Sequence, residues 1–173
     1  VLMTASLARL LRQSISNEDE VVPLAREVEY AKGYLTIQKM RYKDKLEFEI
    51  DVEPSILNIP LIKLVLQPII ENAIYHGLKY KESKGLLQVK GFMKDGNAVL
   101  QVIDNGVGMD EETLSHIYDK HKVNYHSNGV GVYNVQKRLK LYYGENYGIT
   151  YESEKGVGTT ATITIPGIQE ESI

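Results

Sequence analysis

Residues 97–108 read Asn-Ala-Val-Leu-Gln-Val-Ile-Asp-Asn-Gly-Val-Gly, and the fold turns on how they are read. Up to Asp104 the stretch alternates like a half-buried strand, with Leu100, Val102 and Asp104 on one face. LLQVKGFMK (86–94) and the pair Asp95-Gly96 stand directly before it, so 86–104 carries a clear β-hairpin signal. An aspartate on an apolar face is costly unless a donor meets it. Asn105-Gly106 could be a simple turn, yet Met109–Leu114 is helical in character and no strand follows. Two local readings stay open. One is an ordinary turn. The other is a pocket floor, where a ligand N–H such as an adenine amino group meets Asp104 and the glycines admit close backbone approach.

Outward from this hairpin, LEFEIDVE (46–53) alternates as a half-buried strand, and Pro54 and Pro60 bracket a connection. Residues 61–77 read as helix, interrupted or restarted at Pro68. Asp110 is a good N-cap for a short helix over 110–118, and 119–128 is polar and irregular. A helix follows over about 131–143, ending near Gly144, then strands at about 148–153 and 158–165. Upstream, Leu7, Leu10, Leu11 and Ile15 mark a helix over 2–16, and 24–42 forms a second. Their apolar stripes should bury against a partner helix, in this chain or in a second copy. From residue 46 the order β-α-β-β-α-loop-α-β-β predicts an α+β fold, a two-layer sandwich with one mostly antiparallel sheet. The expected organisation is a helical segment at 1–42, a domain at 43–168 and a tail at 169–173.

Composition narrows the function. The chain has 173 residues, 43% hydrophobic and 25% charged, which suits an ordinary globular protein. A net charge of -3 with interleaved signs gives no basic stripe for nucleic acid, and none is expected as a partner. The absence of cysteine excludes disulfides, thiol nucleophiles and thiolate metal sites. No apolar run approaches the roughly 20 residues of a membrane span. The chain opens on Val1 in a helical stretch, so a piece of a longer protein is expected, with a sensor or membrane region upstream.

Three further segments carry chemistry. On the helix Pro68–Gly77, Ile69, Ile70, Ala73 and Ile74 fall on one side, and Glu71, Asn72, Tyr75 and His76 on the other. A carboxylate and an amide together could hold hydrated magnesium and orient a nucleophile; for the helix taken alone, a solvated polar face is the better reading. Gly129-Val130-Gly131 opens a helix whose free N–H groups could meet phosphate. Gly156-Val157-Gly158-Thr159 is a hairpin turn whose Thr hydroxyl could reach a buried water or base edge. His116, His121 and His126 share no helical face and read as loop residues.

The order of these boxes resembles the ATPase superfamily of gyrase, the large heat-shock chaperone, histidine kinases and the mismatch-repair ATPase. Within it, LQPIIENAIYHG (66–77) and GVGVYNVQKRLKLYYG (129–144) look like the N box and second glycine box of the Lyt-type, or autolysin-sensor, histidine kinases. LARLLRQSIS and VVPLAREVEYAKGYLTIQKMRY, within 7–42, look like the stretch between their phospho-acceptor segment and their ATPase domain. The resemblance implies the Bergerat (GHKL) ATPase fold, with ATP and Mg2+ as cofactors. Asp104 would accept from the adenine amino group, Asn72 would ligate magnesium, and Glu71 would act as a base or polarising group near the γ-phosphate. His76 and Lys79 would belong to the nucleotide site, as would Gly106, Gly108, Gly129 and Gly131, and Thr159 would hold adenine through water. Residues 109–130 would form a lid. Tyr75 stands where such kinases often carry lysine; Lys79 or Arg138 could supply that charge. Residues 1–75 hold no histidine, so the phospho-acceptor would lie upstream. A response regulator, a homodimeric parent and a cytoplasmic placement of this domain beneath a membrane anchor complete the expectation. The alternatives are a clamp ATPase, a related serine kinase, or a nucleotide-binding module without catalysis.

Overall fold

The strand alternation over 85–104 builds the centre of the computed structural model, which describes residues 20–117 and 129–167. Strand β1 is Val21–Pro23, β2 is Leu46–Val52 and β3 is Pro60–Ile62. The hairpin is β4 (Gly85–Lys94) and β5 (Asn97–Asp104), followed by β6 (Gly148–Glu154) and β7 (Gly158–Pro166). Asp95 and Gly96 between β4 and β5 have φ of 51° and 78°. Two consecutive positive φ values give the turn whose twist matches the strands it joins. The main sheet runs β2-β4-β5-β7-β6, with β2 parallel to β4 and every other pair antiparallel. β1 and β3 form a separate two-stranded ribbon.

Helix α1 is Leu24–Tyr42, α2 is Leu66–Asn72, α3 is Glu111–Ser115 and α4 is Gly129–Tyr143. A π-helical turn, Ala73–Leu78, continues α2 without a break. Leu24, Ala31 and Leu35 of α1 share one core with Leu66, Ile69 and Ile70 of α2 and Val132, Val135 and Leu139 of α4. Leu87, Val89, Leu100, Val102, Ala161 and Ile163 close it from the sheet. Burying each such aliphatic side chain contributes roughly 1.5–3 kcal/mol. The partner expected for the 24–42 stripe is therefore α2 of this same chain. The helix expected over 2–16 lies outside the described residues, as do 118–128 and the tail from 168. Among the described residues no helix is long and apolar enough to cross a membrane.

One element differs from expectation. Residues 61–77 are not a single helix: Pro60–Ile62 pairs with Val21–Pro23 as a strand, and α2 starts only at Leu66. The apolar run fits either period, and pairing with a distant strand decides between them. Leu64 has φ 59°, which ends any helical continuity there. Pro68 then falls in the first turn of α2, where its missing N–H costs nothing. Asp110 caps α3 as expected, its Oδ1 accepting from the Thr113 N–H at 3.0 Å. Hydrogen bonds from Thr113 hold its pKa down at about 2.

Candidate nucleotide site

The sheet register sets the first side of the site. Asp104 ends β5 between Leu87 on β4 and Thr159 on β7, on the core face it shares with Val102. It is only 5% exposed, and its Oδ1 accepts from the Gly106 N–H at 2.8 Å. Burial pushes its pKa up to about 6, against the pull of the Gly106 and Thr159 amides and the Lys81 charge. Lys81 itself donates to the Asn105 carbonyl, and the Asn105 side chain accepts from the Leu86 N–H at 2.8 Å.

Glycines let three segments meet at this aspartate. A Cβ on Gly106 would collide with the Gly77 carbonyl, and the next amide, Val107 N–H, donates to that carbonyl at 3.0 Å. Gly108 has φ 64° and passes close to the Glu154 carbonyl, which leaves no room for a side chain. The loop after β5 is thus clamped between the π-turn and the β6–β7 turn, where the Gly156 N–H donates to Val107 at 2.7 Å.

Beside Asp104 opens a small, partly enclosed cavity. Ile69, Ala73, Val102, Tyr151 and Ala161 supply apolar walls; Asn72, His76, Asp104 and Thr159 supply polar groups. The Asn72 Oδ1 is shut off from solvent and has no hydrogen-bond partner among the described residues. A buried amide oxygen of this kind is expected to find a donor or a cation. Ser153 Oγ lies 2.8 Å from Thr159 Oγ1 and accepts from the Met109 N–H at 2.8 Å, which orients this wall.

The expected residues divide between two places. Asn72, His76, Asp104, Gly108 and Thr159 line the cavity, and Gly106 braces its floor. Glu71 does not share the cavity with Asn72. It accepts from Gln67 Nε2 at 2.9 Å and lines an adjoining cleft with Tyr34, Gln38, Tyr75, His76 and Lys79. The single polar face expected at 71–76 is therefore split in two, with His76 at the border. Ala73, expected on the apolar side, lines the cavity instead. Lys79 Nζ stands 6.0 Å from the Tyr75 ring centre and 5.5 Å from that of Tyr80, as a cation over aromatic faces. Arg138 on α4 acts electrostatically on Glu27. Gly131 lies in the first turn of α4 against Pro68, and Gly129 begins that helix. Desolvation, then the Lys79 charge, hold the His76 pKa below its ordinary value. Of the expected lid, only 109–117 and 129–130 belong to the described residues.

The sequence pattern assigns no site role to Tyr151, Ser153 or Glu27. Gly77 carries a usable signal, since glycine inside a helical run is unfavourable and often marks a close approach.

The family model described as histidine kinase-, DNA gyrase B-, and HSP90-like ATPase matches residues 58–169. The chain belongs to that family, whose ATPase domain implies ATP binding. A second family model, described as histidine kinase, matches residues 2–46. The chain is 33% identical over 164 residues to the sensor histidine kinase YesM of Bacillus subtilis, covering 95% of this chain and 27% of that protein. It is 34% identical over 143 residues to the sensor protein LytS of Oceanobacillus iheyensis, covering 81% and 24%. The chain thus spans about a quarter of the length of these curated relatives. Among solved structures, the catalytic domain of histidine kinase ThkA aligns with TM-score 0.63 at 16% identity, covering 86% of this chain and 99% of that one. The histidine kinase domain of the blue-light activated kinase of Erythrobacter litoralis aligns with TM-score 0.61 at 17% identity, covering 95% and 73%. These likenesses bear out the α+β sandwich.

Proposed function

We propose that this chain is the ATP-binding catalytic part of a two-component sensor histidine kinase. One observation carries the reading: a buried carboxylate, Asp104, and an unpartnered buried amide oxygen, Asn72 Oδ1, line one apolar-walled cavity. Asp104 would accept from the adenine amino group, a charge-assisted bond in a dry site. Asn72 would contribute an oxygen to magnesium, which keeps several waters and takes its other oxygens from substrate phosphates. Magnesium, when bound, would neutralise the charge on those phosphates.

This placement supports a phosphotransfer reaction. An imidazole nitrogen on an upstream helix of the parent attacks the γ-phosphorus in line, the bond to the β–γ bridging oxygen breaks, and ADP leaves. Glu71, in the cleft beside the cavity, would take the imidazole proton. The protein's contribution is position and charge. The phosphoryl group then passes to an aspartate of a response regulator, from a parent that is dimeric and anchored at the membrane.

Isothermal titration with a non-hydrolysable Mg–ATP analogue tests the pocket: wild type binds and Asp104→Asn loses most of the affinity. Equal affinity in both would overturn the assignment. In the parent chain, label from the γ-phosphate should be acid-labile; acid-stable label on Ser or Thr would sink the histidine-kinase reading.

A further inference from the structure

Glu27 lies on α1, yet it is only 2% exposed. Its Oε1 accepts from the Leu64 N–H at 2.8 Å. Its Oε2 accepts from the Val65 N–H at 2.9 Å and the Leu66 N–H at 3.1 Å. These are the amides at the start of α2, which no carbonyl within that helix can satisfy. Val65, just ahead of the helix, supplies no capping side chain. Leu64 holds φ 59°, a conformation disfavoured for a branched residue, and there its N–H joins the other two on one carboxylate.

A cap needed for stability alone is ordinarily a Ser, Thr, Asp or Asn at the helix's own first residue. Here the cap comes from a different element and is buried. Burial raises the Glu27 pKa, while the three backbone donors and the Arg138 charge lower it. The capped end of α2 and Asn72 are six residues apart, or about 9 Å of helix rise. A rotation or slide at that end moves Asn72 as a rigid consequence.

We propose that Glu27 is a positioning residue for the nucleotide site: it seats the start of α2, fixes Asn72 opposite Asp104, and makes that placement depend on where α1 stands. The proposal rests on the roles given above to Asn72 and Asp104. It differs from a plain structural role in its target, because Asp104 sits on β5 and is not held by α1.

The test titrates a non-hydrolysable ATP analogue into wild type and Glu27→Gln, with and without Mg2+. In wild type Mg2+ should tighten binding. In Glu27→Gln the Mg2+-dependent gain should shrink about ten-fold while Mg2+-free affinity stays within about three-fold, the scale of effects from groups that orient a ligand. Glu27→Asp keeps the charge and should recover part of the gain; it also carries the test if Glu27→Gln does not fold. Ile165→Ala, at the far end of β7, serves as a control of comparable stability loss and should keep the gain. An unchanged Mg2+ gain in Glu27→Gln, or an equal loss in Ile165→Ala, overturns the proposal. A wild type that binds no nucleotide overturns the site reading itself, and the proposal with it.

Discussion

At the β5 end of the cavity, Asp104 meets backbone amides and a lysine charge, whereas at the α2 end the Asn72 side-chain oxygen has no hydrogen-bond partner among the described residues. The first end is set by sheet register: once β4, β5 and β7 pair, Asp104 can stand only between Leu87 and Thr159. The second end hangs on a helix whose start is held by a residue of another helix and whose continuation widens into a π-turn. Such turns recur at functional sites. In the proposed reading, the base-recognising side is ready before a ligand arrives, and the phosphate side is completed by what it binds.

The contrast can be broken most severely where the two ends touch. Gly106→Ala would drive a methyl group into the Gly77 carbonyl, and Gly77 also abuts the Asp104 carboxylate. A stability loss of about 3 kcal/mol is expected, the upper range for overpacking, together with loss of detectable nucleotide binding. Chemical denaturation and titration of the same sample check both; retained binding would show that the ends are not braced together.

Asp104→Asn should leave the fold intact and weaken nucleotide binding by about 2–3 kcal/mol, roughly 30- to 150-fold, the scale of a hydrogen bond to a charged group. The same carboxylate predicts two opposed pH effects. Its pKa rises from 3.8 to about 6 on folding, so the folded chain holds the proton to higher pH than the unfolded chain. Stability should therefore fall as pH climbs through that window, and Asp104→Asn should flatten the slope. Nucleotide affinity should instead weaken as pH drops below about 6, since the protonated acid is a poorer acceptor. Denaturation and titration series from pH 4 to 8 on both proteins would show whether the two trends share this one group.

Asn72→Ala should give the smallest effect and sharpen the contrast most. Affinity without Mg2+ stays within about three-fold, and only the Mg2+-dependent part is lost, about ten-fold. An equal loss in both conditions would place Asn72 on the base and not on the metal.

Much of the β5 end is legible in the residues themselves. Alternation placed Asp104 on the face of Leu100 and Val102, and Asp95-Gly96 announced the hairpin, because both signals are local. The α2 end is less so. The strand at Pro60–Ile62 exists only through pairing with Val21–Pro23, which no short window contains. The separation of Glu71 from Asn72 depends on how α2 seats against α1, and an ideal helical wheel puts both with Tyr75 and His76. Glu27 reads as one more charge on an amphipathic helix. Its partners are three backbone amides, and backbone groups leave no trace in a sequence pattern.

Among the described residues, the order β2-β4-β5-β7-β6 leaves β2 and β6 as the two open margins of the sheet. Glu49 and Asp51 project along one, and Glu152 and Glu154 along the other, all exposed. Open margins invite strand addition from a neighbouring molecule, and like charge along both discourages it. Strand pairing of margin to margin between two copies would set these carboxylates against one another.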